Sequence, residues 1–312
     1  MRKIATLRLP LRSSRRCIPP SPFVKKAHTY RFTLLTALLS VISVVAFGFQ
    51  TTHREIDRTK EKGLRATIDV SFGTIVLERG SSSKIVVLDY EDDSEEKNRF
   101  QVSYEIRGDE GVLKVRVKKE AHVWGDDGSD EDHTRKLTVQ LGDQIPVSLE
   151  VVLGAGKGDI DLSGLLIRDL KISTGASSVD LRCDKPNAIP ADNVGIESGV
   201  SKFTATNLCN TNFKNLKFSG GVGSYRLDFG GDIHHDASAK IEVGLGSMTV
   251  LVPKQIPTKL LYDASFFSSF SLDDDFSKTR SGVYETDDFR DSDNRLTIQI
   301  ESGLGSVKVR RN

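Results

Sequence analysis

The chain has 312 residues, 38% of them hydrophobic and 28% charged, with a formal net charge of +1. That balance supplies no strong basic field, which excludes an electrostatic case for nucleic-acid binding. Three cysteines are too few for a disulfide scaffold, and 7% aromatic content with a single Trp fits a β core of Val, Ile and Leu.

Residues 1–31 are basic, from Arg2 and Lys3 through Arg15, Arg16, Lys25, Lys26 and Arg31, and carry no structural pattern, so they are expected to be disordered. Residues 32–49, FTLLTALLSVISVVAFGF, carry no charge. A run of this length is near the short limit for a membrane helix and long for a signal-peptide core. It fits an uncleaved anchor. With Ala46 and Gly48 ahead of Phe49 it also fits a removed signal peptide. Both readings place everything after Gln50 outside the cytoplasm. One gives a single-pass protein of the cytoplasmic membrane, the other a secreted or periplasmic one. The basic flank predicts a cytoplasmic N-terminus, and Cys17 lies on the wrong side of the run for a lipoprotein.

Residues 50–63, QTTHREIDRTKEKG, read as a linker or a short exposed helix. Strands are predicted at LRATIDV, TIVLER and KIVVLDY, then across Phe100, Val102, Tyr104 and Ile106, with a hairpin turn at Gly108–Gly111. Acidic loops interrupt at 91–97 and 125–133. Residues 64–145 are therefore expected to form a small β-meander.

From residue 146 onward a short signature repeats. Around Gly175, apolar Leu170 and Ile172 precede, small Ser177 follows two later, and Val179 and Leu181 alternate beyond. The pattern returns at Gly199, Gly221, Gly244 and Gly303, with Gly154 opening the series and Phe266 holding the marker place in a degenerate copy. At Gly154 the trailing strand reads as displaced to Ile160 and Leu162. Steps between markers are 21, 24, 22, 23 and 22 residues, then 37. Alternation on both sides of a small residue means strand, bend, strand, and glycine suits a bend where backbones approach. A period near 22 means a repeat architecture whose units bury their apolar faces only by stacking. The predicted fold is all-β: a solenoid of about seven coils over 146–312, preceded by the meander and one N-terminal transmembrane or signal-anchor helix. The long last step is assigned to an acidic insertion at 273–295. A leading half-copy at Ile68, Val70 and Gly73 suggests the same logic upstream.

The glycine units, with GSMTVLVPKQIPTKLLYDASF and the terminal LTIQIESGLGSVKV, resemble the C-terminal domain of LiaF-like proteins and the wider bacterial toast-rack, adhesin-like families. Residues 64–145 look like the N-terminal region of the toast-rack families. The resemblance implies an envelope protein on the outer side of the cytoplasmic membrane. For LiaF it implies restraint of a membrane sensor kinase. LiaF carries several membrane helices before its β domain, and this chain has one apolar run.

No catalytic motif of the GxSxG, HExxH or P-loop type is present, and no cofactor or metal is predicted. Asp126, Asp127, Asp130, Glu131 and Asp132, between His122 and His133, lack the EF-hand order and read as a solvated loop. His234 and His235 read as a turn between units. Asp159, Asp161, Asp180 and Arg182 are expected to point outward on consecutive coils, as an exposed strand or a carbohydrate-active β-helix enzyme would show. Cys183 and Cys209 fall on adjacent units, as a disulfide or as two small core residues. The expected function is a non-catalytic envelope binding or scaffolding module with an envelope or membrane protein partner. The alternatives are the carbohydrate-active enzyme and a self-assembling structural protein, the latter opposed by Lys308, Arg310 and Arg311 on the last strand.

Overall fold

One strand bent at its middle forms most of the repeat units. The computed structural model describes residues 50–93, 99–118, 135–264 and 268–312. The expectations for 1–49, for the acidic loop at 125–133 with His122, and for Phe266 fall outside these residues. Among the described residues no helix is long and apolar enough to cross a membrane.

The cap comprises β1 (Gln50–Asp57), β2 (Gly63–Arg79), β3 (Lys84–Asp92), β4 (Phe100–Arg107), β5 (Glu110–Val117) and β6 (Arg135–Leu141). The coils follow as β7 (Val147–Asp161), β8 (Ile167–Arg182), β9 (Ala191–Thr206), β10 (Phe213–Asp228) and β11 (Ala237–Val252). Then come β12 (Thr258–Ala264), β13 (Ser268–Leu272), β14 (Ser277–Arg280), β15 (Val283–Glu285) and β16 (Leu296–Arg311). Strands β2, β7, β8, β9, β10, β11 and β16 stack in parallel in that order.

Register explains the markers. An ideal Cβ placed on Gly154, Gly175, Gly199, Gly221, Gly244 or Gly303 would lie 2.3–3.0 Å from the carbonyl oxygen of the residue at the same place one coil earlier. No side chain fits there. Ahead of the marker, residues such as Leu170 and Ile172 face inward; beyond it, Val179 and Leu181 do. The inward positions on the two legs are an odd number of residues apart, so the bend reverses the phase and both legs face one core. Connectors close the third side, with Leu162, Leu165, Cys183, Leu208, Cys209 and Phe229 buried. Asparagines tie the connectors together: the Asn187 amide donates to the Ile167 oxygen at 2.6 Å and the Thr211 oxygen at 3.0 Å, and Asn210 donates to the Cys183 oxygen at 2.9 Å.

Several expectations change. Residues 50–57 are no linker: β1 pairs antiparallel with β3, its charges suiting an edge strand. The region 64–145 is not a simple meander, because β2 is a full coil paired in parallel with β7 from Leu64 to Leu77. On its other side β2 pairs in parallel with β5 and then β6, two half-strands that together fill one coil. The hairpin at 108–111 does join β4 and β5. Gly73 pairs with Gly156, so Ser71 holds the marker place, two residues earlier than the alternation suggests. A slip of two leaves every side chain on its proper face, so the pattern cannot detect it. The trailing leg at Gly154 is not displaced. Gly158 pairs with Val179 and Ile160 with Leu181, and the Val179 methyls occupy the space beside Gly158.

The C-terminal end is reordered. Strand β16 inserts between β11 and the coil made of β12 and β13. A Cβ on the marker above Gly244 would meet its oxygen at 2.4 Å, so that place needs glycine; Gly303 supplies it and a Phe marker cannot. The 273–295 segment is not an unstructured insertion, since β14 and β15 pair with each other and β15 extends the β12 edge. Lys308, Arg310 and Arg311 therefore sit on an inner strand. The Arg311 guanidinium donates to the Lys254 oxygen at 2.6 Å and the Ile256 oxygen at 3.0 Å. These charges do not guard the end of the stack.

Candidate functional site

The bend leaves two consecutive residues facing outward, the marker and its successor. The successors are Phe72, Ala155, Ala176, Val200, Val222, Leu245 and Leu304, each in register with the next. All are apolar. Phe72 is 40% exposed, Val200 65%, Val222 45%, Leu245 45% and Leu304 48%. Single exposed apolar side chains are ordinary, but a continuous row of them is not. At the strand spacing of about 4.8 Å, seven positions make a ridge about 29 Å long.

Beside the ridge the marker glycines expose bare backbone as the floor of a groove. One stretch of about 610 Å³ lies along Gly221, Gly244 and Gly303, with Glu242, Asp263 and Glu301 among its lining residues. Another of about 490 Å³ lies along Gly154, Gly175 and Gly199, beside Ser173 and Glu197. Lys240 reaches Glu242 at 2.7 Å and Glu301 at 3.2 Å, and its hydrogen bond holds the Glu242 carboxyl below the usual range. The ridge's other side is polar, with Lys157, Ser178, Lys202, Ser224 and Ser247 paired in register.

The sequence reading passes over this ridge, although the signal was present: the marker's successor is apolar in every described unit. A repeat seen as alternation draws attention to the core columns and away from the odd residue at the bend.

The other predicted groups fall elsewhere. Arg182 bonds both Asp159 and Asp161, the latter at 3.1 Å, so these carboxylates are already engaged by a cation across the strands. Burial pushes the Asp161 carboxyl up, but hydrogen bonds from Ser163 and the Arg182 charge outweigh it and leave the group below its ordinary value. His235 lies in the β10–β11 connector, its ring nitrogens 3.0 Å from the Asp236 oxygen and 3.0 Å from the Asn212 side-chain oxygen. Among the described residues no group of three or more His, Cys, Asp or Glu is placed to hold a metal ion. The aspartates of 273–295 serve locally. Asp273 accepts from the Arg311 N–H at 2.7 Å, and Asp288 from the Thr286 hydroxyl at 2.6 Å.

Cys183 and Cys209 are not joined; both are free and buried in the connector layer. Burial pushes each thiol up to about 12, far from the reactive thiolate. Neither is expected to react with an aromatic disulfide reagent in the native protein, and both should react after unfolding in guanidinium. Fast labelling of either before unfolding contradicts this placement.

The fold and ridge define a class: a parallel β-solenoid of bent single-strand coils with a half-strand cap. The chain belongs to the family described as the N-terminal domain of toast_rack, DUF2154, whose model matches residues 48–206. That span runs from β1 through β9 and excludes the two C-terminal phrases that resemble LiaF-like proteins. No curated protein matches the chain. Among solved structures, a candidate cell-adhesion protein of Clostridium sporogenes is 17% identical, with 85% of this chain and 100% of that one covered at a TM-score of 0.44. A candidate adhesin of Bacteroides fragilis is 13% identical, covering 83% and 97% at a TM-score of 0.35. A candidate lipid-binding protein of Parabacteroides distasonis is 11% identical, covering 84% and 96% at a TM-score of 0.25. At these values nothing about function passes from them to this chain.

Proposed function

We propose that the protein is a non-catalytic binding module of the bacterial cell envelope. Residues 32–49 hold it at the cytoplasmic membrane, and the coils lie on the outer side. The observation that carries the binding role is the uncovered row Val200, Val222, Leu245 and Leu304. A row this continuous suits an apolar surface on another envelope protein. By resemblance alone, that partner is a membrane sensor kinase and the setting is envelope stress. The engagement of Asp159 and Asp161 by Arg182 favours this reading over a carbohydrate-active enzyme.

Two measurements test it. A reporter that works only outside the cytoplasm, fused after Asn312, should be active; good expression with no activity rejects the topology. The double variant Val222→Asp/Leu245→Asp should keep its melting midpoint, each change costing within about 0.5 kcal/mol as an exposed site. In cells the parent chain should cross-link to an envelope protein, and the same variant should lose that cross-link. Cross-links retained at parental strength reject the ridge as the docking surface.

A further inference from the structure

Gly195 has no structural reason to be glycine. Every other glycine inside a described strand, apart from Gly63 at the first place in β2, would set a Cβ within 3.2 Å of a neighbour. A Cβ on Gly195 would meet only the Leu170 oxygen, at 3.9 Å. Its φ is not positive. It lies inside β9, paired on both sides with Lys171 and Lys217. An interior strand glycine weakens the strand and often marks close approach by a ligand or another backbone.

The surroundings agree. Gly195 lines a depression of about 510 Å³ crossing the leading legs of β2, β7, β8 and β9. With Asn193 it also lines a second, of about 260 Å³, that continues to Asn215 and Lys240. Asn193, Gly195 and Glu197 project from one side of the strand. The charges around them largely cancel: Arg168 reaches Glu110 at 3.0 Å and Lys171 reaches Glu150 at 3.4 Å. Among the described residues, neither the Asn193 amide nor the Glu197 carboxylate has a hydrogen-bond or ion-pair partner.

We propose that this groove binds a linear, uncharged glycan lying along the stack over Gly195. A polyanion would meet Glu150 and Glu197, and a polycation would meet Arg168 and Lys171. A chain of hydroxyls can both donate and accept, so it can use the Asn193 amide and the Glu197 carboxylate together. Its sugars repeat on a step similar to the strand spacing of about 4.8 Å. The absent Gly195 side chain lets a ring rest on the backbone.

The test titrates cellohexaose, chitohexaose and inorganic polyphosphate into the full chain in a zwitterionic, sugar-free detergent. At least one hexasaccharide should bind. Gly195→Val should weaken that binding by about tenfold or more, and Glu197→Ala should weaken it as well. The melting temperature of Gly195→Val should be unchanged or raised, since a β-branched residue suits an open strand position. The proposal is overturned if neither hexasaccharide binds, if polyphosphate alone binds, if Gly195→Val binds as the parent does, or if Gly195→Val melts earlier. The ridge variant Val222→Asp/Leu245→Asp should bind the hexasaccharide normally, so the two surfaces succeed or fail separately.

Discussion

Gly246→Ala is expected to destabilise the protein by about 3–5 kcal/mol. Two penalties combine at this position. Its φ of +135° lies in a region that L side chains rarely adopt, and a Cβ would sit 1.9 Å from the Gly223 carbonyl oxygen. That oxygen belongs to backbone held in register on both sides, so it cannot step aside without moving β10. Gly223→Leu provides a graded comparison. Its Cβ would also be 1.9 Å from an oxygen, that of Ser201, but Gly223 has no positive φ. It should cost about 2–3 kcal/mol from overpacking alone. Arg226, exposed on the next leg, should tolerate Leu within about 0.5 kcal/mol. Denaturant midpoints of the three variants decide the matter. If Gly246→Ala melts with the parent, the close stacking of the bends is wrong.

Phe218→Ala should cost about 3–5 kcal/mol, the range for emptying a fully buried aromatic site. Phe218 has no exposed surface and packs edge-on against Phe203 at 5.7 Å and Tyr225 at 5.2 Å. The cluster also explains an unusual residue. The place before the marker holds Val, Leu, Thr or Ser in the other full coils, but Gly220 in β10. A Cβ there would lie 2.7 Å from the Tyr225 ring, so the aromatic ring fills the volume that a side chain takes elsewhere. Because each coil rests only on its neighbours, the loss should loosen β9 and β11 before the cap. Hydrogen exchange that instead rises evenly across the chain contradicts this nearest-neighbour picture.

Much of the architecture is written in short-range pattern. The two apolar alternations around Gly175 and its equivalents specify strand, bend and strand, because a buried pleated face admits only that period. The recurrence near 22 residues specifies stacking, because one unit cannot bury its own face. Glycine at the six markers from Gly154 to Gly303 follows from backbone contact with the coil before, whereas Ser71 falls between the β5 ladder, which ends at Val70, and the β6 ladder, which begins at Thr74. Tertiary structure alone decided which strand lies beside which. Leu304 and Gly305 pair with Leu245 and Gly246, so the last strand slips in ahead of its predecessor. The identical GLGS at 244–247 and 303–306 hints at this, yet repeats that fit one another equally well leave their order to the sterics of the whole stack. The same equivalence hid Ser71 behind Gly73, since a slip of two residues keeps every face. The apolar residue after each marker is visible in the sequence, but that these residues join into one ridge, and that Gly195 opens on a groove, could be read only once register was known. Each is a property of neighbouring coils in space, and no single unit contains it.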